Sequence, residues 1–368
     1  MKTHSLFCFA VLTSLSSMAW AQQPAPVSWQ PTQPAPGSED YAGTASCASC
    51  HQAESKRAGT SQMGNSIVVP TRKYRDFPVL RFRRGAFTYT LYRDGEARLS
   101  VDDGQHRITE PIFAMIGAGK TFQAYLLRHE GVPYRAAVDF VTARGGLDLD
   151  SEADPAGSLE EALGRHHSEK YVRDCLACHS PASVTGEGVD LVHRPLGNTC
   201  EVCHGPGAKH VALERAGTRG QAGIFDPIFN PGRLSAADES NFCGQCHTTA
   251  AAMRARNAKG TGSVISEPYR LETSRCWNPD DRRIRCTACH DPHAPIVRNA
   301  AAYDGKCQAC HSSSTAKTSH DRRAIATCPV GKHGCVECHM QRVSAPDTPI
   351  RYADHRIRIA KADTPFPE

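Results

Sequence analysis

Aromatic side chains are few, at 7% of 368 residues with only 3 Trp. A chain of roughly two-domain length therefore lacks much of the bulky core expected for its size. Long apolar runs are also missing. The longest, Leu6 to Leu15, is too short to span a bilayer. Lys2 precedes it and Ala19-Trp20-Ala21 follows it, which is the pattern of a secretory signal over residues 1–21. Cys8 lies inside the run without the preceding small residue of a lipoprotein site, so a soluble exported protein is expected. Charge of one sign is lacking too: 43 Lys+Arg stand against 38 Asp+Glu, and no basic run forms a stripe. That excludes nucleic acid as the partner. With 22% charged and 40% hydrophobic residues, the chain is neither a disordered polyelectrolyte nor a membrane bundle.

Cysteine is what the chain has in quantity, 17 in all. Export first suggests disulfides, but the spacing points elsewhere. Fourteen of the cysteines fall in seven copies of Cys-x-x-Cys-His: Cys47/Cys50/His51, Cys175/Cys178/His179, Cys200/Cys203/His204, Cys243/Cys246/His247, Cys286/Cys289/His290, Cys307/Cys310/His311 and Cys335/Cys338/His339. This is the attachment pattern of c-type haem. Two thioethers three residues apart bond the two vinyl groups of one porphyrin, and the adjacent His binds iron from the proximal side. Zinc ribbons do not demand a His after every cysteine pair, and redox Cys-x-x-Cys sites do not come in sevens. Seven covalently bound c-type haems are thus expected. Their macrocycles replace much of the aliphatic core, and their propionates turn a sequence pI of 8.4 toward acid.

Gln22 to Ser38 is rich in Pro, so residues 22–38 read as a flexible linker. A first haem-binding segment spans 39–66, a β-rich region without a motif spans 67–150, and a six-haem block spans 151–368. The expected fold is mainly α with little regular secondary structure, packed around haem, with a small antiparallel β insertion between the first and second motifs. Phe87 to Val101 alternates about Asp94-Gly95 and reads as a hairpin. A three-residue loop Arg93-Asp94-Gly95 with Gly95 left-handed would pair Phe87 with Val101, Tyr89 with Leu99 and Leu91 with Ala97. Val132 to Val141 is a second strand-like stretch expected to join it. Short helices are expected at Ser235 to Asn241 and Thr248 to Asn257.

Ten histidines outside the motifs remain after the signal, enough for seven sixth iron positions. His210 and His293 sit close to a proximal His and are candidates for capping a neighbouring haem; His355 is a third. His166, His167, His193, His320 and His333 flank motifs and rank lower, while His106 and His129 fall in the β region. Met63, in polar Thr60-Ser-Gln-Met-Gly, is a thioether candidate for the first haem, where it would raise the potential. Cys276 and Cys328 stand outside the motifs. They read as a disulfide closing a loop of about fifty residues for roughly 4 kcal/mol, with a thiolate ligand as the alternative.

Tyr41-Ala-Gly-Thr-Ala-Ser-Cys-Ala-Ser-Cys-His, Cys200-Glu-Val-Cys-His-Gly-Pro-Gly-Ala-Lys-His210, Cys286-Thr-Ala-Cys-His-Asp-Pro-His293 and the stretch from Cys328-Pro-Val to Asp-His355-Arg-Ile resemble the cytochrome c-554-like multihaem family. The resemblance runs from Tyr41 to Ile359. It implies that His210 is a distal ligand, that Met63 matches the position often capping the first haem, and that the chain is a periplasmic electron carrier. Related nitrite reductases carry Lys after one Cys-x-x-Cys, which no motif here does, and no pattern supplies the cross-linking Tyr of related hydroxylamine oxidoreductases.

The expected function is therefore a relay of single electrons between other exported or membrane-bound redox proteins, needing no general acid, base or nucleophile. The alternative is a reductase or oxidase of a small nitrogen or sulfur compound at one five-coordinate haem.

Overall fold

The computed structural model describes residues 28–33, 37–70, 79–150, 153, 155–186, 188–218, 221, 224–311, 328, 330–345, 350–359 and 366. The signal segment 1–21 and His320 lie outside the described residues. Strands β1 (Ile67–Val68), β2 (Leu80–Arg84), β3 (Phe87–Asp94), β4 (Glu96–Asp102), β5 (Arg107–Ile116), β6 (Phe122–His129), β7 (Val132–Ala136), β8 (Val138–Val141), β9 (Gly146–Leu149) and β10 (Gly164–His166) form one ten-stranded antiparallel sheet. Its main order is β10-β7-β6-β5-β4-β3-β2, with β1 on β5 and β8 between β6 and β9. This corrects the expectation of a mainly helical chain with a small β insertion: 21% of the described residues are strand against 35% helix. The sheet unit also runs on to His166, past the boundary expected at 150.

The hairpin exists, but its register differs from expectation. Tyr89 pairs with Val101, Leu91 with Leu99 and Arg93 with Ala97, so the loop is Asp94-Gly95-Glu96 rather than Arg93-Asp94-Gly95. Gly95 sits at its centre with φ 72°, a conformation that glycine adopts without strain. Pairing moves by two residues, so the apolar side chains keep their face. Tyr89, Leu91, Ala97, Leu99 and Val101 are all buried in the main core with Ile112, Met115, Tyr125 and Leu127. Val132 to Val141 is two strands, broken at Ala137, whose N–H donates to the Leu163 carbonyl at 3.0 Å. Both strands pair with β6 and not with the hairpin.

Two strands are buried on both faces. A bulge between Ile112 and Ala114 resets the alternation of β5. Ala114, Ile116, Ala124 and Leu126 then turn away from the main core and pack on Val172 and Leu176 of a helix. That helix, α4 (Glu169–His179), starts at Ser168, whose hydroxyl accepts from the Tyr171 N–H, and it ends in the second Cys-x-x-Cys-His. The sheet is thus the bed on which the second motif lies.

The remaining helices are α1 (Thr44–Ala48), α2 (Gln52–Ala58), α3 (Leu159–Leu163), α5 (Cys200–His204), α6 (Ala208–Arg215), α7 (Ala236–His247), α8 (Ala250–Ala255), α9 (Glu267–Glu272), α10 (Cys286–Cys289), α11 (Asp304–His311) and α12 (Cys335–His339). Ser235, Thr249 and Ser266 cap α7, α8 and α9 through their hydroxyls. The helices expected near 235–241 and 248–257 are α7 and α8. Residues 28–33, expected to belong to the flexible linker, are docked instead: the Trp29 indole N–H donates to the Val202 carbonyl at 2.7 Å and the ring is buried. Gly205, with φ 76°, lies against that ring, where a Cβ would come to 3.2 Å from it.

Candidate haem sites

Each motif is one turn of helix. The His51 N–H donates to the Cys47 carbonyl at 2.8 Å and the His290 N–H to the Cys286 carbonyl at 2.9 Å, the same closure that the helical motifs make internally. Cysteines at i and i+3 therefore share a face, and the His that follows is turned beside them.

The motifs are joined in pairs by buried carboxylates. Glu201, inside the third motif, accepts the N–H groups of Ala42 (2.7 Å) and Gly43 (3.0 Å) at the start of the first motif's helix α1, and that of Gly207 (2.8 Å) just before α6. Glu239, in the helix of the fourth motif, accepts the Thr287 N–H at 2.7 Å and hydroxyl at 3.0 Å at the start of α10 in the fifth. Asp304, heading the sixth motif's helix, accepts the N–H groups of Gly334 and Cys335, each at 2.9 Å, at the start of α12 in the seventh. Carboxylates favour helix N-termini for the charge as well as the hydrogen bonds. Thiols touch across the same pairs: Cys47 hydrogen-bonds Cys200, Cys243 bonds Cys286, and Cys307 bonds Cys335. Cys178 of the second motif also bonds Cys246 of the fourth. The thiol contact lowers the pKa of Cys200 and Cys178 and raises that of their partners Cys47 and Cys246.

Truncating Glu201→Ala leaves three N–H groups without their acceptor, at about 1–3 kcal/mol for each one that stays buried. The expected loss is about 3 kcal/mol or more in chemical unfolding of the holoprotein. An unchanged midpoint would show that water replaces the carboxylate there.

Five of the motif imidazoles are oriented through Nδ1. His179 reaches the Ser66 carbonyl at 3.2 Å, His204 the Phe229 carbonyl at 2.9 Å, His339 the Arg358 carbonyl at 2.8 Å, and His290 the Tyr303 hydroxyl at 3.5 Å. His247 Nδ1 faces the Glu267 carboxylate at 3.4 Å. Holding Nδ1 in this way fixes the tautomer and leaves Nε2 for a metal. Burial is the main cause that lowers the pKa of His179, His204 and His290, so these rings stay neutral, the form that ligates. Donating toward the Glu267 carboxylate raises the pKa of His247. Burial pushes Glu267 upward, but the bond and charge of His247 win and leave it below the usual carboxylate value.

The motifs surround a connected hollow of about 2820 Å³, with thiols of the first, third, fourth, fifth and sixth motifs on its wall and α12 of the seventh at its edge. His247 is 52% exposed, but into this hollow. Cys50 and Cys289 are likewise exposed into it. Cys338 is exposed and lies off the wall. The reason is the place of α12 at the rim. Val336 and Met340 of that segment face the hollow and Cys335 meets Cys307, so the last turn, with Cys338, is left toward solvent.

Across the hollow, the His204 and His293 rings lie 6.1 Å apart, 9° from parallel. The His290 and His355 rings are also 6.1 Å apart, at 47°. Two metal–imidazole bonds of about 2 Å, with the short reach from each nitrogen to its ring centre, add up to this span. The thiols, the oriented imidazoles and a hollow of this size fit haem held by two thioethers and a histidine.

The other candidates fall in different places. His210, on α6, lines the hollow with its Nδ1 at 2.9 Å from Asp226 and 4.0 Å from Glu214. Met63 lines it as well. His193 is exposed beside Asp190, His333 is 89% exposed beside Asp304, and His166 is exposed on β10 with its ring near Tyr134. None of these three lines the hollow. His129 is held by Glu110 at 2.7 Å on the sheet, His106 is exposed, and His167 stacks on Tyr171 at 3.6 Å. Cys276 and Cys328, expected as a disulfide, are separate free thiols: Cys276 lines the hollow near Cys289 and Cys310, while Cys328 is exposed.

Sequence reasoning missed the cross-capping acids, Glu267, and the Arg270–Asp354 pair. Arg270 grips Asp354 by two bonds of 2.8 and 2.9 Å, with both side chains 1% exposed. An acid placed in or just before a motif was the one available signal for the caps, as at Glu201, Glu239 and Asp304.

No helix among the described residues is long and apolar enough to cross a membrane. The chain matches no protein family and no curated protein. Among solved structures it is similar to the Outer Cell Wall Cytochrome OcwA, at 15% identity over 87% of this chain and 80% of that one, with a TM-score of 0.42.

Proposed function

We propose that this chain is an exported heptahaem c-type cytochrome that carries single electrons between redox partners. The observation that carries this reading is the pairing of His204 with His293 and of His290 with His355, each pair spaced to grip one iron from both sides. A doubly capped iron exchanges electrons and leaves no position for a substrate. Haem bound there supplies reversible one-electron iron chemistry. The protein's own part is to set its environment. Carbonyl acceptors on Nδ1 of His204 and His339, and the carboxylate on His247, make those ligands more basic and favour the oxidised metal. His210, whose Nδ1 is held by Asp226, serves as a further distal ligand from α6. Export follows from the signal at residues 1–21, and haem attachment by thioether accords with it.

The test is mass spectrometry of the purified holoprotein together with electron paramagnetic resonance of its fully oxidised form. The expected result is seven haems per chain, all low-spin. Fewer than seven covalent haems would overturn the count. A high-spin haem at rest would overturn the pure relay and favour reduction or oxidation of a small nitrogen or sulfur compound at that iron.

A further inference from the structure

Resting on the reading of the seven motifs as haem sites, we infer that these sites form a branched array, with the fourth motif as its junction and the second as a side arm.

The contacts of α7 carry the argument. Its two motif cysteines, three residues apart on one face, meet three other motifs. Cys243 hydrogen-bonds Cys286 of the fifth, while Cys246 bonds Cys178 of the second and lies beside Cys203 of the third. Cys178 also points its thiol at the Gln245 carbonyl, 3.6 Å away inside the fourth motif. From the third motif the array continues to the first through Cys200 and Cys47, tied by Glu201. From the fifth it continues to the sixth, where Cys289 neighbours Cys307, and then to the seventh through Cys335 and Asp304. The Cys47, Cys200, Cys243, Cys286 and Cys307 thiols all face the one hollow.

The second motif stands apart from that line. Its thiols and imidazole are not on the wall of the hollow. Among the described residues its approach to another motif is to the fourth, through Cys178 with Cys246 and His179 beside His247. Its other thiol, Cys175, faces Tyr171 and Arg135 of the sheet unit. The opposite flank of α4 is closed by the sheet, where Val172 and Leu176 are fully buried against Ala114, Ile116, Ala124 and Leu126. No further motif has room there. The sheet thus holds one site beside the line, where charge is stored or exchanged without interrupting the array from the first motif to the seventh.

The test removes the side arm from the holoprotein. In Cys175→Ala/Cys178→Ala, mass spectrometry of the purified protein is expected to find six haems. The remaining low-spin resonances and stepwise potentials should change for one haem, that of the fourth motif, and the six should still equilibrate in one kinetic phase after sub-stoichiometric reduction. Cys243→Ala/Cys246→Ala should instead disturb three neighbours and split the remainder into groups that no longer equilibrate. Should the double-cysteine variant of the second motif not fold, His179→Met keeps both thioethers, the sheet and all seven haems; it changes the ligand of the second site, and besides its own haem the shift in resonance and potential should reach one other, that of the fourth motif. Shifts at two or more of the other haems, or loss of equilibration on removing the second site, would overturn the branch. A native protein with no haem on the peptide of the second motif would overturn the underlying reading instead, so the two failures are distinguishable.

Discussion

Replacing His293 by Ala is expected to convert one haem from low-spin to high-spin and to raise its potential, leaving the others unchanged. The ring of His293 stands 6.1 Å from that of His204 and 9° from parallel, so the change should appear at the third motif, although His293 follows the fifth motif by three residues. The ring is held for this task. Asp291 Oδ1 accepts the His293 N–H at 2.9 Å and approaches Nδ1 at 3.2 Å, while Asp291 Oδ2 accepts from Arg57 of α2 at 2.7 Å. The segment from His290 to His293 therefore serves two irons, with Pro292 limiting its freedom. Axial ligation spans about 0.8 V of haem potential, and loss of a neutral nitrogen donor favours the reduced metal. His293→Met should stay low-spin with a smaller rise, because a thioether still caps the iron. Paramagnetic resonance and potentiometry on both variants decide the matter. A His293→Ala spectrum identical to the native one would mean that the two rings merely pack.

The motifs were legible because their chemistry is local: thioether spacing and the following His are fixed within one turn of helix. Their surroundings were not, which is why nothing in the spacing separates Cys338, left at the surface, from Cys310, which lines the hollow. The hairpin was legible because alternation survives on one face of β3 and β4. Its register was not, because a shift of two residues keeps every apolar side chain on the same face, and only the position of Gly95 at the centre of the loop separates the two solutions. Strands β5 and β6 escaped notice because Ile112 to Ile116 and Ala124 to Leu127 are buried on both faces, one against the core and one against α4, and so carry no alternation. That is why a ten-stranded sheet read as a small insertion. The supply of distal histidines could be counted, but their partners could not: His204 meets His293, three residues past a different motif. The same holds for Glu201, which caps residues 159 positions away. The expected disulfide relied on compartment and on these being the two cysteines left outside the motifs, and the fold sends Cys276 into the hollow instead.

Breaking the Arg270–Asp354 pair should have the largest effect on stability. Both side chains are buried, the two bonds are 2.8 and 2.9 Å, and Ser263 and the ring of Phe366, 4.5 Å from the guanidinium carbon, fill the surroundings. Removing Asp354 strands the Arg270 charge, and removing Arg270 leaves Asp354 only the longer contact with Arg358 at 3.6 Å, so Arg270→Met or Asp354→Leu is expected to cost about 3–5 kcal/mol. Replacing both with apolar residues of similar volume should restore most of that loss, since the stranded charge is then gone. The pair also sets a ligand. Asp354 accepts the Arg356 N–H at 3.0 Å, and Ser274 donates to the His355 carbonyl at 3.2 Å and accepts the Ile357 N–H at 2.8 Å, so this clamp aims His355 at His290. In the double variant stability should recover while a fraction of the haem at the fifth motif turns high-spin, because Asp354 no longer anchors the segment. Chemical unfolding monitored in the Soret band gives the first quantity and paramagnetic resonance the second. Single variants that lose less than about 1 kcal/mol would show that water reaches the pair, and an unchanged spin state in the double variant would show that Ser274 alone places His355.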